Sequence, residues 1–464
     1  MSETKDYFFC GIGGSGMLPL AMIVNAAGHR VEGSDRALDQ GRTAAKFDYL
    51  RSLGVALHAQ DGSGVNRAGQ TLVASAAVEE TVPDVAAANA VGATRLSRAA
   101  LLAQLFNDAP SPIGVAGTSG KSTTTAMIGW ILYHAGKDPT VMNGAVMKNF
   151  VKPDALFASA LVGKGEAFVS EVDESDGSIA MFNPRIAVVN NVALDHKSMD
   201  ELRVLFGGFV DEAAIAILNL DNKETAILAE RLQGKTITYS IAGVAADLTA
   251  EAIKPQPYGI SFTVRDATNE TTAGVSLKMP GRHNISNALA AIAAAKACGV
   301  SLTAAAKALD EFDGVKRRLE YVGEARGVTV FDDFGHNPDK ITATLKTLHD
   351  FPGRLLVMFQ PHGFGPLNKM KKEFIACFSE NLTADDVLLM PEPVYFGGTV
   401  DRSVSSKDIS EGVTTAGRNA EAFADRDACG ERLLELAKPG DRIIVMGARD
   451  DTLSVFAEKL LQAL

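Results

Sequence analysis

Short apolar runs bounded by turn residues alternate along the chain with stretches whose apolar positions recur at helical spacing. That alternation predicts α/β layers built on parallel sheets. Tyr7–Cys10 reads as a strand, a glycine cluster follows, and a helical pattern runs from about Met17 to Ala27. A second strand ends near Gly33-Ser34-Asp35, and the helical stretch Ser97–Phe106 closes a first segment. Asn107 to Pro112 reads as a linker, because its two prolines discourage helix continuation. A second segment opens with strand Ile113–Ala116, contains acidic and glycine-rich turns, and ends with the alanine-rich helix Ile285–Cys298. A third, from Gly314, carries strands at Val328–Phe331, Arg354–Phe359, Asp386–Met390 and Arg442–Met446, separated by helices. The expected domains are 1–107, 108–313 and 314–464.

Composition narrows the class. A chain of 464 residues is long for one domain, and 46% hydrophobic with 22% charged residues is the profile of a globular protein. The formal net charge of -11 argues against a nucleic-acid partner. Cys10, Cys298, Cys377 and Cys429 form no CxxC pair and read as thiols of a reducing compartment. The polar start, Met1 to Asp6, carries no signal peptide, and no apolar run approaches the roughly 20 residues that span a bilayer. A cytoplasmic protein without membrane insertion, monomeric or homodimeric, is expected.

Two glycine loops carry the first chemistry. Gly117-Thr118-Ser119-Gly120-Lys121-Ser122-Thr123-Thr124 lies between a strand and a helical run. Its glycines let backbone N–H groups approach phosphate oxygens at a helix start. Lys121 would neutralise β/γ-phosphate charge, and the Ser122 or Thr123 hydroxyl would ligate magnesium. Val115 stands at the first glycine position, so the strict G-x-x-x-x-G-K-[ST] spacing is broken. A triphosphate site is still expected. Gly11-Ile12-Gly13-Gly14-Ser15-Gly16 satisfies G-x-G-x-x-G, with Asp35 where a ribose-binding acid belongs. Alone it would suit a dinucleotide, but a second nucleotide loop downstream favours a nucleoside-diphosphate substrate.

Two further turns follow strands of the middle segment. Glu171, Asp173, Glu174 and Asp176 are delivered together, and hard oxygen ligands at strand carboxyl ends suit magnesium bridging phosphates. Asn190-Asn191-Val192-Ala193-Leu194-Asp195-His196 leaves the strand Ile186–Val189, with the isolated His196 beside Asp195.

The motifs GIGGSGM, GTSGKSTTT, EVDESDGS, NNVALDH, PGRHNISNALAAIAAA, GVKRRLE and DDFGHNP occur in that order. In this they resemble the Mur ligases, and among them the MurC/Mpl branch, over nearly the whole chain. The resemblance implies three α/β domains: a Rossmann-like UDP-sugar domain, a P-loop ATPase-type domain and a Rossmann-like carboxy-terminal domain. It also implies ATP and Mg2+, with a UDP-sugar carboxylate and an amino acid or peptide as substrates. ATP would phosphorylate the carboxylate of UDP-N-acetylmuramate, and the amine, L-alanine foremost, would attack the acyl phosphate. Carried over by motif, Lys121 would hold phosphates, Ser122 and Glu171 the first magnesium, and His196 a second. His283 and Asn284 would lie near adenine, Arg318 would reach the phosphates, Asp333 the ribose, and His336 would join the catalytic set. Gly11 to Gly16 and Asp35 would hold the UDP part, with Ser75 nearby.

The match breaks in places. Ser119 and Ser122 replace a His and a Thr, and Ser122 keeps the metal-binding hydroxyl. After Phe359-Gln360-Pro361-His362 the arginines that hold the amino-acid end in MurC are missing, their places falling at about Gly363 and Pro366. Two lost guanidiniums are worth roughly 2–4 kcal/mol of carboxylate recognition. Lys369, Lys371 and Arg402 are the candidate replacements. Gly144 to Phe150, Arg317-Arg318-Leu319-Glu320 and Asp332-Asp333-Phe334 lean toward Mpl, so a recycled murein peptide or an unusual amine is the alternative. No lysine lies between Lys197 and Asn222 to take the part of a carbamylated lysine. An alternative of another class, a nicotinamide-dependent oxidoreductase, would use the first glycine loop and leave GKSTTT without a purpose.

Overall fold

The computed structural model describes residues 4–75, 78–194, 197–232, 234–394, 401–448 and 450–464. The first sheet contains β1 (Asp6–Cys10), β2 (Arg30–Ser34), β3 (Ala56–His58), β4 (Gln70–Ala74) and β5 (Thr94–Ser97). Their order is β3-β2-β1-β4-β5, and every pair is parallel. Consecutive Phe8 and Phe9 are both buried, in different apolar clusters on opposite faces. That is the signature of a parallel sheet covered by helices on both sides.

The middle sheet begins with β6 (Ser111–Ala116), β7 (Thr140–Met142), β8 (Ala160–Leu161), β9 (Ala167–Glu171) and β10 (Ile186–Val189). It continues with β11 (Ile215–Asn219), β12 (Thr236–Ser240), β13 (Leu248–Gln256), β14 (Gly259–Asp266) and β15 (Thr271–Leu277). The order is β15-β14-β13-β12-β11-β10-β6-β9-β7-β8. Parallel β10 and β9 flank β6 on either side. The chain therefore turns in both directions from β6, and the carboxyl end of such a switch point is where open α/β sheets place ligands. The strand starts two residues earlier than its apolar run suggested. Pro112 lies inside it, near the first residue where a missing N–H is tolerated.

The third sheet holds β16 (Glu320–Ala325), β17 (Val328–Asp333), β18 (Leu355–Gln360), β19 (Val387–Pro391), β20 (Asn419–Phe423) and β21 (Arg442–Gly447). Its order is β16-β17-β21-β18-β19-β20, parallel but for β16 against β17.

The chain forms two compact units. One is Met1–Lys254, Ser261–Leu277 and Asn284–Val315; the other is Pro255–Ile260, Lys278–His283 and Lys316–Leu464. Within the first, the amino-terminal and middle sheets share one apolar core that runs from Tyr7 to Leu218. Phe106, fully buried, packs edge-on against Phe168 and Phe182 with ring centroids 6.0 and 5.3 Å away. Asn107, the first linker residue, donates to the Met181 carbonyl at 2.9 Å and accepts from Asn183 N–H at 2.9 Å. The linker is thus pinned at its start. In the second unit, Tyr258 packs against Tyr321 at 4.7 Å.

Candidate functional site

The site begins at the carboxyl end of β6. The helix Lys121–His134 starts there with Gly120 as its cap, at φ 85°, a left-handed conformation natural to glycine. A Cβ at Gly120 would lie 2.4 Å from Asn287 Oδ1 and 2.7 Å from Asn190 Nδ2, so two asparagines close over the loop where only glycine fits. Asn191 grips the loop twice: Ser119 N–H donates to its Oδ1 at 2.9 Å, and its Nδ2 donates to the Ser119 carbonyl at 3.2 Å. Asn190 Nδ2 donates to Thr124 Oγ1 at 2.9 Å, and Asn143 Nδ2 to the Ser122 carbonyl at 2.8 Å. The Thr118 hydroxyl donates to the Ala193 carbonyl at 3.1 Å, and Thr123 is buried. These bonds fix the loop backbone at the start of the helix, where backbone N–H groups favour an anion.

Adjacent strands bring the acids. β9 ends on Glu171, whose Oε2 accepts from Ser122 Oγ at 2.9 Å, while its other oxygen accepts from Gly144 N–H. Lys121 Nζ donates to Glu174 Oε2 and to the Gly117 carbonyl, each at 2.8 Å. Burial works against the Lys121 charge, but Glu174, Asp173 and Glu171 outweigh it and push its pKa up. Burial would likewise raise Asp173, yet the Lys121 charge and Ser175 bring it below its ordinary value. Asp176, in contrast, is exposed and caps Ser178 N–H, the solvated role such a residue ordinarily has. So Ser122 and Glu171, expected as magnesium ligands, do meet, and three of the four clustered carboxylates surround Lys121. Asp195 and His196 lie outside the described residues. Among the described residues, no group of three His, Cys, Asp or Glu side chains could hold a metal alone. One hydroxyl and one carboxylate at hydrogen-bond distance do suit magnesium, which keeps waters and takes its remaining oxygens from phosphates.

The first glycine loop follows β1. Gly11 and Ile12 N–H donate to the Ser34 carbonyl at 2.8 and 2.9 Å, which ties the loop to the end of β2. Asp35 accepts from Gly13 N–H and Ala37 N–H, both at 2.8 Å. Two of about four lone-pair positions on its carboxylate are thereby used, and the rest can meet a ribose hydroxyl. Gly14, Ser15 and Gly16 lead directly into the helix Met17–Ala26, and Ser75 stands at the carboxyl end of neighbouring β4.

The remaining expected residues are carried by other elements. His283 and Asn284 open the helix Arg282–Ala297, where Asn284 is buried and bonds Asn287 one turn on at 3.2 Å. In the second unit, the Arg318 guanidinium lies 4.4 Å from the Phe334 ring centroid. Asp333 accepts from Leu319 N–H at 2.9 Å, Gly335 N–H at 3.1 Å and the Thr344 hydroxyl at 2.8 Å, and so holds the turn that carries Arg318. The His336 ring meets the His362 ring edge-on at 5.3 Å. Burial, then the charges of Lys340 and His362, push its pKa down to about 3, so the imidazole is neutral near pH 7. Of the three candidate replacements for the missing arginines, Lys371 is paired with Asp408 at 2.8 Å, while Arg402 lies over the Phe364 ring at 5.8 Å, next to Gly363.

Sequence reasoning passed over Asn143, Asn190, Asn191, Asn287 and the Glu174–Lys121 pair. Asn284 and Asn287 carried a usable signal, since spacing of three places them on one helix face. The others needed the strand order.

Family models now match the chain in three consecutive stretches. "Mur ligase family, catalytic domain" covers residues 6–109, "Mur ligase middle domain" 115–295, and "Mur ligase, glutamate ligase domain" 317–449. A UDP-N-acetylmuramate–L-alanine ligase from Rhizobium etli is 35% identical over 458 residues, covering 95% of this chain and 93% of that protein. The chain belongs to the Mur ligase family. Such proteins are ATP-dependent ligases that form amide bonds, and this one is an enzyme of that kind. Among solved structures, a Thermotoga maritima UDP-N-acetylmuramate–alanine ligase shares the fold at TM-score 0.78 and 24% identity, covering 99% of this chain and 98% of that one. A Psychrobacter arcticus murein peptide ligase matches at TM-score 0.73 and 26% identity, with coverage of 99% and 98%. The oxidoreductase alternative falls, because matches to ligases run along the whole chain and GKSTTT is part of the matched middle domain.

Proposed function

We propose that this Mur ligase joins the carboxylate of UDP-N-acetylmuramate to L-alanine, through an acyl phosphate formed from ATP, in peptidoglycan precursor synthesis. The observation that carries the reading is the meeting of Ser122, Glu171 and Lys121 at the carboxyl ends of β6 and β9. The R. etli relative, named for that reaction, supports the choice of substrates.

A carboxylate is a poor electrophile, and ATP must approach it against like charge. Lys121 supplies a cation at the phosphates, and the loop N–H groups, held by Asn191, stabilise them without reorganising. Ser122 and Glu171 would hold magnesium, with His196 assigned to a second ion; the metal supplies charge neutralisation at the phosphates. His283 and Asn284 are assigned to adenine, Arg318 to the phosphates, and Asp333 both to the ribose and to the Arg318 turn. His336, being neutral, is assigned a hydrogen-bonding part in the catalytic set rather than a cationic one. Gly11 to Gly16, Asp35 and Ser75 take the UDP part. Domain bounds of 1–107, 108–313 and 314–464, a cytoplasmic location and a monomer or homodimer belong to the same proposal. Among the described residues, no helix is long and apolar enough to cross a membrane.

A murein peptide as the amine is the second reading. It is favoured by Gly363 and Pro366 standing where the branch's arginines fall, and by the P. arcticus likeness. The test is phosphate release from ATP and magnesium with UDP-N-acetylmuramate, adding L-alanine, glycine, L-serine or the murein tripeptide separately. Release that needs both UDP-N-acetylmuramate and L-alanine, with ligated product, is expected. Release with the tripeptide alone selects the second reading, and no stimulation by any pair overturns the muramate assignment.

A further inference from the structure

The two residues that flank Arg318 carry backbone conformations that side chains rarely adopt. Arg317 has φ 59° and Leu319 φ 46°, both in the left-handed region, where a residue other than glycine is strained. Such strain survives only where the surroundings leave the chain no alternative, and it gathers where geometry serves function. Here the restraints can be named. Leu319, 4% exposed, is part of the apolar core of the third sheet, and its N–H donates to Asp333. Arg317 N–H donates to Glu320 Oε2 at 2.9 Å, and the Arg317 carbonyl accepts from Phe334 N–H at 2.8 Å. The buried Arg317 guanidinium reaches Asp332 Oδ1 at 3.3 Å and the Asp450 carbonyl at 3.1 Å. The backbone on either side of Arg318 is therefore fixed, and the freedom left at that position is in its side chain.

Phe334 meets that side chain. The guanidinium carbon of Arg318 lies 4.4 Å from the Phe334 ring centroid, and that of Arg317 lies 5.3 Å from the same ring. A cation over a ring face is attracted by the negative face of the aromatic quadrupole. Such a contact uses the flat face of the guanidinium, not the N–H edge through which it binds phosphate. Arg318 Nη1 also donates to the Arg317 carbonyl at 3.1 Å, which ties the head of the side chain back to its own turn. The ring is itself seated. Phe334 directly follows β17 and lies edge-on to the His336 ring at 5.4 Å. Gly335 after it has no room for a side chain, since a Cβ there would stand 2.7 Å from both Asp333 Oδ2 and Met446 Cε.

We propose that Phe334 is a positioning residue whose ring orients the Arg318 guanidinium for the ATP phosphates, while the strained turn fixes where that side chain starts. This rests on the reading that Arg318 serves those phosphates, and it adds what holds the arginine ready. A long side chain loses rotamer freedom when a ligand immobilises it, and a ring that has already ordered it removes that loss from nucleotide binding.

The experiment compares the parent enzyme with Phe334→Leu, Phe334→Met, Phe334→Tyr, Arg318→Ala and the double variant Phe334→Leu with Arg318→Ala. The probe is the non-hydrolysable ATP analogue AMP-PNP with magnesium, and its dissociation constant is measured by calorimetry beside that of UDP-N-acetylmuramate. Thermal midpoints check folding; the ring is half-buried, and Phe334→Met serves if Phe334→Leu does not fold. Phe334→Leu and Phe334→Met should weaken AMP-PNP binding roughly 3- to 30-fold, the scale of a cation–π contact, and leave UDP-N-acetylmuramate within about twofold. Phe334→Tyr keeps the ring face and should stay within about twofold of the parent. In the Arg318→Ala background, loss of the ring should add less than about twofold, because its effect runs through the guanidinium. AMP-PNP binding unchanged without the ring, an equal loss for UDP-N-acetylmuramate, or effects that simply multiply in the double variant would each overturn the proposal. If Arg318→Ala itself binds AMP-PNP like the parent, the phosphate reading of Arg318 fails first, and this inference goes with it.

Discussion

Ser122 Oγ donates to Glu171 Oε2 at 2.9 Å across 49 positions of sequence, which joins the two residues proposed to hold magnesium. The hydroxyl is what matters to that pair. Ser122→Thr keeps it and should retain activity within about threefold. Ser122→Ala removes it and should raise the magnesium concentration for half-maximal rate roughly tenfold or more, the usual scale for a lost ligand-shell partner. Magnesium titrations of phosphate release would show this. An unchanged requirement in Ser122→Ala would remove Ser122 from the metal site.

Lys121 and Glu174 form a largely buried ion pair whose carboxylate partner is 5% exposed in its side chain. Lys121→Met leaves that carboxylate unpaired, so both stability and turnover should fall, turnover by about three orders of magnitude or more. Adding Glu174→Gln removes the stranded charge. The double variant should regain thermal midpoint without regaining turnover. Calorimetry beside a phosphate-release assay separates the two effects, and recovered turnover would show that Lys121 is structural.

His336 should not titrate in the physiological range. Burial and nearby Lys340 and His362 hold its pKa down at about 3, well below the ordinary imidazole value. Between those two values the unfolded chain binds the proton more readily. Stability contributed by this residue is therefore intact near pH 7 and is lost as pH falls through that window. Histidine ring proton shifts followed from pH 8 to 4, assigned with His336→Gln, should show one imidazole that stays neutral. A midpoint above about 5 would contradict the burial.

Asp386 loses stability in the same direction of pH, from a different cause. Burial alone would raise its pKa, but His349 Nε2 at 2.9 Å and the N–H groups of Leu355 and Thr383, each at 2.7 Å, hold it at about 2. The depressed carboxylate adds stability that is present above its unfolded value and lost as pH falls through about 2. Asp386→Asn should cost on the order of 2 kcal/mol at pH 7. Denaturant midpoints should show that gap closing between about pH 4 and 2; a gap that stays constant would place the effect in packing instead.

Much of this enzyme was legible from residue order because its chemistry is local. A glycine loop between a strand and a helix, GKSTTT or GIGGSG, places backbone N–H groups by sequence alone, since neighbouring residues leave the chain few conformations there. Apolar runs bounded by glycine and asparagine likewise announced parallel strands, although Pro112 proved to lie inside β6, where it precedes the pairing with β10 that begins at Ile113. What tertiary structure alone decided is which distant segments meet. Parallel pairing of β6 with β9 on one side and β10 on the other sets Glu174 against Lys121, Glu171 against Ser122, and Asn190 and Asn191 against Thr124 and Ser119 of the same loop and helix start. No spacing rule could assign those contacts, because strand order depends on which helices cover each face.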